Sequence, residues 1–354
     1  METFVNQYQK RIRYIDALRG FTMFLVVLGH VMITSLNISR DSIVCTFFLS
    51  FRMPIFFFIS GYIAYNATNL WTPSFFIQKI KKKAFVQIIP ACLFFTLYFL
   101  SRHRNFGELC QYVINTGFGG YWFTFVLFEM FVIYYISSFI GKYIHNKITD
   151  ILLILVCFFL LWFVHSEYNP QIGFLNLDNL FNYLKFFTFG ILCKKYHIVF
   201  LQLINNDYFR TVVIMSFILS FYLILDKDIL NSHFNYYMLL KNYTIRFTGL
   251  LTIFIFFHNK KSFFEKEKFF SRLLQYIGKR TLDIYLLHYF FIPYIPVCIT
   301  SYITQTNMSI IQITLSSILS IIIIFICLLL SEIIRSSNIL SHYCFGVDSK
   351  NKTS

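Results

Sequence analysis

Long apolar runs alternate along the chain with short polar segments rich in Lys and Arg. A membrane-spanning helix needs about 20 mostly apolar residues. On that criterion ten runs are predicted to span, at 14–36, 43–65, 84–101, 121–140, 149–165, 180–193, 210–226, 242–258, 281–302 and 310–334. The expected fold class is therefore all-α, a polytopic membrane helix bundle of about 10 transmembrane helices. No Pro- or Gly-rich linker, low-complexity tract or obvious internal repeat divides the pattern. Residues 1–340 read as one membrane domain and 341–354 as a short cytoplasmic tail.

Charge gives an independent test, because cytoplasmic loops collect Lys and Arg. With the N-terminus placed inside, 22 of the 31 basic residues fall on inward segments. Five, namely Arg40, Arg102, Arg104, Lys227 and Lys241, fall outside, and Arg19, Arg52, Lys185 and Arg246 lie within spans. Both termini are expected in the cytoplasm. The first run carries Asp16 and Arg19 and no small-residue cleavage site follows it, so it is expected to stay as an anchor.

At 57% hydrophobic and 13% charged, the composition excludes an ordinary soluble domain. The formal charge of +15 does not point to nucleic acid, since the basic residues sit between apolar runs and form no single basic face. Membrane lipids are the expected surroundings, and oligomeric state leaves no signature. The eight cysteines contain no CxxC pair, so neither a disulfide framework nor a metal site is indicated. They are expected to act as small buried hydrophobes.

Each charge near a span centre costs about 2.5–3.5 kcal/mol on insertion scales, which makes intramembrane charges functional candidates. In RYIDALRGFTMFLVVLGH, at about 100° per residue, Asp16, Arg19 and His30 share one narrow helix face, with His30 about 16 Å along the axis from Arg19. Two readings stand: a polar line into a cavity, or an interfacial Asp16/Arg19 pair with His30 a hydrogen-bonded core residue. Arg52 lies in the second run, Trp122 and Glu129 lie seven apart on nearly one face of the fourth, and Asp283, Tyr285 and His288 lie in the ninth. Ser60 sits in no nucleophile elbow. Ser60 and Gly61 are expected to serve close helix packing or to line a cavity.

The string RYIDALRGFTMFLVVLGHV resembles the opening of the acyltransferase 3 family of integral membrane O-acyltransferases. That family's signature is an arginine, ten residues and a histidine, matched here by Arg19 and His30. FRMPIFFFISGYI at 51–63, GYWFTFVLFEMF at 120–131 and GKRTLDIYLLH at 278–288 resemble later family segments in the expected order. Where members often carry Arg-x-x-Arg before the third span, this chain reads FFIQKIKKKAFVQIIP, with lysines and then Gln87.

The resemblance implies transfer of an acetyl (acyl) group from acetyl-CoA to a hydroxyl of a surface carbohydrate or its lipid-linked precursor, at the inner, cytoplasmic membrane. Acetyl-CoA would be a substrate and not a resident cofactor. Such transfer needs a base for the hydroxyl proton and donors for the oxyanion. His30 is the expected general base, with Arg19 and Asp16 beside it. Arg52, Trp122, Glu129, Tyr285 and His288 are expected at the substrates, and Lys79, Lys82 and Lys83 at the donor phosphates. The alternatives are a non-enzymatic carrier or channel for a small solute, and acylation of a lipid or secondary metabolite.

Overall fold

The computed structural model describes residues 12–66, 71–103, 106–116, 118–144, 176–225, 235–266, 268–305 and 309–347, with scattered positions between 152 and 163. Among the described residues the regular structure is helical and no strand occurs. The helices are α1 (Arg13–His30), α2 (Ile43–Ala64), α3 (Pro73–His103), α4 (Leu109–Thr116), α5 (Trp122–Ile144), α6 (Leu177–Lys195), α7 (His197–Asn205) and α8 (Asp207–Leu225). They continue with α9 (Asn235–Asn259), α10 (Lys261–Phe264), α11 (Phe269–Lys279), α12 (Thr281–Phe291), α13 (Val297–Gln305), α14 (Ser309–Ser336) and α15 (Asn338–Phe345).

Five helical segments are long and apolar enough to cross a membrane: Arg13–Ser35, Ile43–Ala64, Pro73–Arg102, Gly119–Lys142 and Ser309–Ser336. α6 and α7 together pass the same test but are bent by 96°. The fold is thus a multi-pass membrane helix bundle with five such helices among the described residues, or six if the bent pair is one span. α8 and α9 coincide in position with the seventh and eighth predicted runs, and the fifth run lies largely outside the described residues.

Two predicted runs differ in form. α3 begins at Pro73, well before the apolar stretch at 84, because the lysines lower hydropathy while keeping good helix propensity. The ninth run is not one helix. α12 stops at Phe291, and Pro293 and Pro296 hold the chain extended until α13, since proline supplies no N–H and biases the preceding residue away from the helical region. The boundary suggested at 340 falls inside α15, which folds back on α3: the His342 ring lies 4.5 Å from Phe85 and Phe345 stacks on Phe94 at 6.0 Å.

α1 is the central helix, touching α2, α9, α11, α12 and α14. Its contact with α11 is backbone to backbone. A Cβ on Gly20 would stand 2.0 Å from the Leu274 carbonyl oxygen, and one on Gly278 would stand 1.9 Å from that of Asp16. α2 and α6 repeat the device, with Gly61 against the Phe187 carbonyl and Gly190 against that of Phe58. Apolar burial adds little drive between helices in lipid, so such close approach supplies the packing that holds them.

Charge also joins helices. Asp283, 1% exposed, takes both oxygens to Arg335 at 2.6 and 2.8 Å and accepts from Ser331, locking α12 onto α14. Arg280 reaches Glu332 of α14 beside it. Of the cysteines, Cys45, Cys193 and Cys327 are buried, whereas Cys110 and Cys298 are exposed, so the expectation of small buried hydrophobes holds only for some.

Gly278→Val should cost about 3 kcal/mol or more, the upper range for overpacking, because the obstructing atoms are backbone. Thermal unfolding of the purified protein in detergent checks this against Ile321→Val, an exposed control on α14. Equal melting temperatures for the two variants would contradict the close contact.

Candidate functional site

Two polar zones lie on either side of Tyr285. The first is a cavity of about 380 Å³ between α1, α2, α3, α5 and α12. Its cations are Arg19, Lys79 and Lys83, and no carboxylate among the described residues lines it. Lys79, Lys83 and Gln87 fall at four-residue spacing and so share one face of α3. The α3 lysines thereby meet Arg19 of α1. The Lys83 ammonium rests 3.6 Å above the Phe131 ring, and Gln87 Oε1 is buried without a hydrogen-bond partner among the described residues.

Arg19 donates to Thr281 Oγ1 at 2.8 Å and stands 4.0 Å from Asp16, which is 4% exposed. Arg19 thus faces the cavity, while Asp16 sits behind it. Ser60 donates to the Phe56 carbonyl and lines the same cavity, and Gly61 beside it makes the close contact with α6. Lys82 is exposed and does not line the cavity.

The second zone is built on one carbonyl. Phe118 and Gly119 are both left-handed, at φ 67° and 52°, and this turn brings the Gly120 carbonyl to α12. Tyr285 and Tyr289, four residues apart on α12, both donate to it at 2.8 Å. The Phe123 N–H donates to Tyr285 Oη, and Tyr289 Oη lies 3.1 Å from His30 Nε2. With its one proton committed to Gly120, Tyr289 can only accept from His30, so Nε2 of His30 carries the proton and Nδ1 the lone pair. A Cβ on Gly120 would lie 2.4 Å from Tyr289 Cζ, so glycine is required for this approach.

His288 is fixed the opposite way. Its Nδ1 donates to the Tyr285 carbonyl at 2.7 Å, with the Ile284 carbonyl at 3.1 Å, which leaves the lone pair on Nε2. That Nε2 is buried and without a partner among the described residues. The His30 and His288 ring centroids are 5.2 Å apart. Arg52 donates to the Val26 carbonyl at 3.2 Å and lies across Gly29, where a Cβ would meet Nη1 at 1.9 Å. No carboxylate among the described residues pairs with it. A guanidinium with donors left open among the described residues therefore sits next to two imidazoles, each with one protonated nitrogen set by the fold.

Trp122 stacks on Tyr183 at 5.7 Å, and Tyr183 on Phe57 at 4.9 Å, forming an aromatic wall at the start of α5. Tyr183 is also an electrostatic neighbour of Arg52. Glu129 does not line the cavity, and its Oε2 is buried without a partner among the described residues. The structure therefore brings Arg19, Lys79, Lys83 and Tyr285 round one cavity. It gathers His30, His288 and Arg52 beyond it, with Trp122 at the edge and Glu129 and Lys82 apart. Sequence reasoning missed Gly120, Tyr183 and Tyr289. The Tyr285/Tyr289 spacing and the Gly-Gly pair before Trp122 were the available signals.

A protein-family model described as an acyltransferase domain matches residues 12–329. No curated protein and no solved structure gives a significant match.

The tautomers can be read directly by nitrogen-15 NMR of the histidine-labelled protein, with His288→Gln assigning the signals. His30 is expected as the Nε2–H form and His288 as the Nδ1–H form. Tyr289→Phe should release the preference of His30 alone. Finding both rings in one tautomer would overturn the hydrogen-bond chain.

Proposed function

The chain belongs to the acyltransferase 3 family of membrane acyltransferases, and from that premise we propose that it moves an acetyl group from acetyl-CoA to a carbohydrate hydroxyl, on a surface glycan or its lipid-linked precursor. The observation that carries this reading is that Tyr285 belongs to both zones. A cavity lined by cations and by no carboxylate among the described residues ends at Tyr285, whose carbonyl orients His288 against His30.

The donor's phosphates suit Arg19, Lys79 and Lys83, with the pantetheine arm running toward Tyr285. Arg19 can grip phosphate with a planar fork, whereas the lysines act as point charges. At the histidines, His30 Nδ1 takes the acceptor hydroxyl's proton as the oxygen attacks the thioester carbonyl carbon. His288 Nε2 accepts from a second hydroxyl of the sugar and so holds the acceptor in line. The carbonyl π electrons move to oxygen, and Arg52 stabilises that oxyanion with its free N–H groups. Collapse breaks the C–S bond, and the departing sulfur takes the proton back from His30. The products are the O-acyl ester and free coenzyme A, with neutral imidazole restored. Trp122 and Tyr183 offer a stacking surface for a sugar ring. Glu129, apart from the cavity, is assigned no step.

The proposed orientation places Arg19, Lys79, Lys83 and Thr281 toward the cytoplasm and His30, Tyr289 and Trp122 toward the outer side of the inner membrane. Ten spans with both termini inside fit the loop charges and this polarity. Coenzyme A is a charged cytoplasmic molecule, so the cationic cavity would open on its side.

Transfer of labelled acetyl from acetyl-CoA to glycan by the purified, reconstituted protein tests the activity. His30→Ala should lower turnover by about 10²–10⁴-fold, the range for losing a general base, with membrane insertion intact. Near-normal turnover in that variant would remove the assigned base. Arg19→Lys should raise the KM for the donor by about tenfold through loss of a charged hydrogen bond. Wild-type kinetics would reduce Arg19 to an interface charge.

Orientation has its own check. With native cysteines replaced, a cysteine at Ser262 should react with an impermeant thiol reagent only after cells are opened, and one at Asp41 should react from outside. Both positions are exposed. The reverse labelling would invert the proposed path of the donor.

A further inference from the structure

Lys185 and Arg246 lie outside the site described above. Lys185 is in the middle of α6 and Arg246 in the middle of α9. The two helices meet where Phe186 and Phe189 pack on Phe247, with ring centroids 4.6 and 5.6 Å apart. Each cation immediately precedes one of these contact residues, and Arg246 is close enough to Lys185 to repel it. The Lys185 ammonium sits 3.9 Å over the ring of Tyr243, one turn before Phe247.

Neither cation has a carboxylate partner among the described residues, and both are only partly covered. Two like charges held together inside a lipid-embedded bundle need a counter-anion, because an intramembrane charge without one is strongly disfavoured. The described residues supply none, and the anion of a ligand would meet that need. An ammonium and a guanidinium on two helices that pack at the neighbouring Phe186 and Phe247 suit a phosphate, which offers several acceptor oxygens to both. Tyr243 is 38% exposed and α8, packed on α9, shows Ile218 and Leu219 at its surface. The surroundings are therefore apolar and open to lipid tails, which favours a phosphate carried by a lipid over one arriving from water.

We propose that Lys185, Arg246 and Tyr243 form a binding site for the phosphate group of a membrane lipid. α6 also carries Tyr183, which stacks between Phe57 and Trp122 beside Arg52. Lys185 lies two residues along α6 from Tyr183 on the opposite face, so a lipid phosphate held there would flank the helix that borders the transfer site. On the acyltransferase reading above, the natural occupant is a phosphate- or diphosphate-linked lipid that carries the acceptor sugar.

Native mass spectrometry of the full-length protein, taken from vesicles, reads binding without requiring transfer, so its failure leaves the acyltransferase assignment standing. The probe is phosphatidic acid in phosphatidylcholine vesicles, with phosphatidylcholine alone and inorganic phosphate as separate arms. Wild type should retain phosphatidic acid, and Lys185→Gln/Arg246→Gln should hold it about tenfold less well, as expected for lost charged hydrogen bonds. Lys185→Arg/Arg246→Lys keeps both charges and should retain it, which guards against a merely misfolded double variant. Equal retention by wild type and the neutral variant would overturn the site. Equal binding of inorganic phosphate without lipid would overturn its assignment to a lipid.

Discussion

Three helices of this bundle are tied together at one backbone oxygen. The Gly120 carbonyl accepts from Tyr285 and Tyr289 of α12, and Tyr289 in turn accepts from His30 of α1, while Gly120 itself leads into α5. Inside lipid no water is available to satisfy these groups, so each must find its partner within the protein. The chain of bonds consequently fixes more than position. It commits the single proton of Tyr289, assigns the proton of His30 to Nε2, and leaves Nδ1 bare. A site whose protonation is decided by the backbone is preorganised before any substrate arrives.

The same rule separates structural charges from functional ones. Asp283 meets Arg335 and Ser331 with full complementarity, and Arg280 meets Glu332, so these groups hold α12 on α14 and have little left to offer a ligand. Lys79, Lys83, Arg52, Lys185 and Arg246 differ, since the described residues give none of them a carboxylate. Arg19 stands 4.0 Å from Asp16, donates to Thr281 and lines the cavity. Cations without anions mark where anionic substrates are expected. Glycines set the distances, because Gly20, Gly61, Gly190 and Gly278 bring backbones into contact and Gly29 lets Arg52 lie beside His30.

Much of this was legible in the sequence. The apolar runs gave a helical membrane bundle, and Arg19 and His30 stood out because their spacing joins a family signature to one helix face. The proposed donor lysines were visible as a cluster, yet only the fold separates Lys79 and Lys83, which face the cavity, from Lys82, which does not. Periodicity gives a face but not its neighbour, so Trp122 and Glu129 read as a pair although the structure gives Trp122 an aromatic stack and leaves Glu129 apart. The break after α12 and the extension of α3 escaped a hydropathy window, because prolines and lysines alter helix limits and apolarity in different ways. Gly120 and Tyr289 could not be paired from sequence at all, since their contact joins positions 169 residues apart.

The central claim is that a cationic cavity delivers the donor to histidines whose lone pairs are already placed. A cryo-electron microscopy map of the reconstituted protein with coenzyme A tests it most directly. Phosphate density is expected against Arg19, Lys79 and Lys83, with the pantetheine arm passing Tyr285 and its sulfur beside His30 and His288. Coenzyme A bound elsewhere on the bundle, or seated in the cavity with its sulfur directed away from the two histidines, would contradict it.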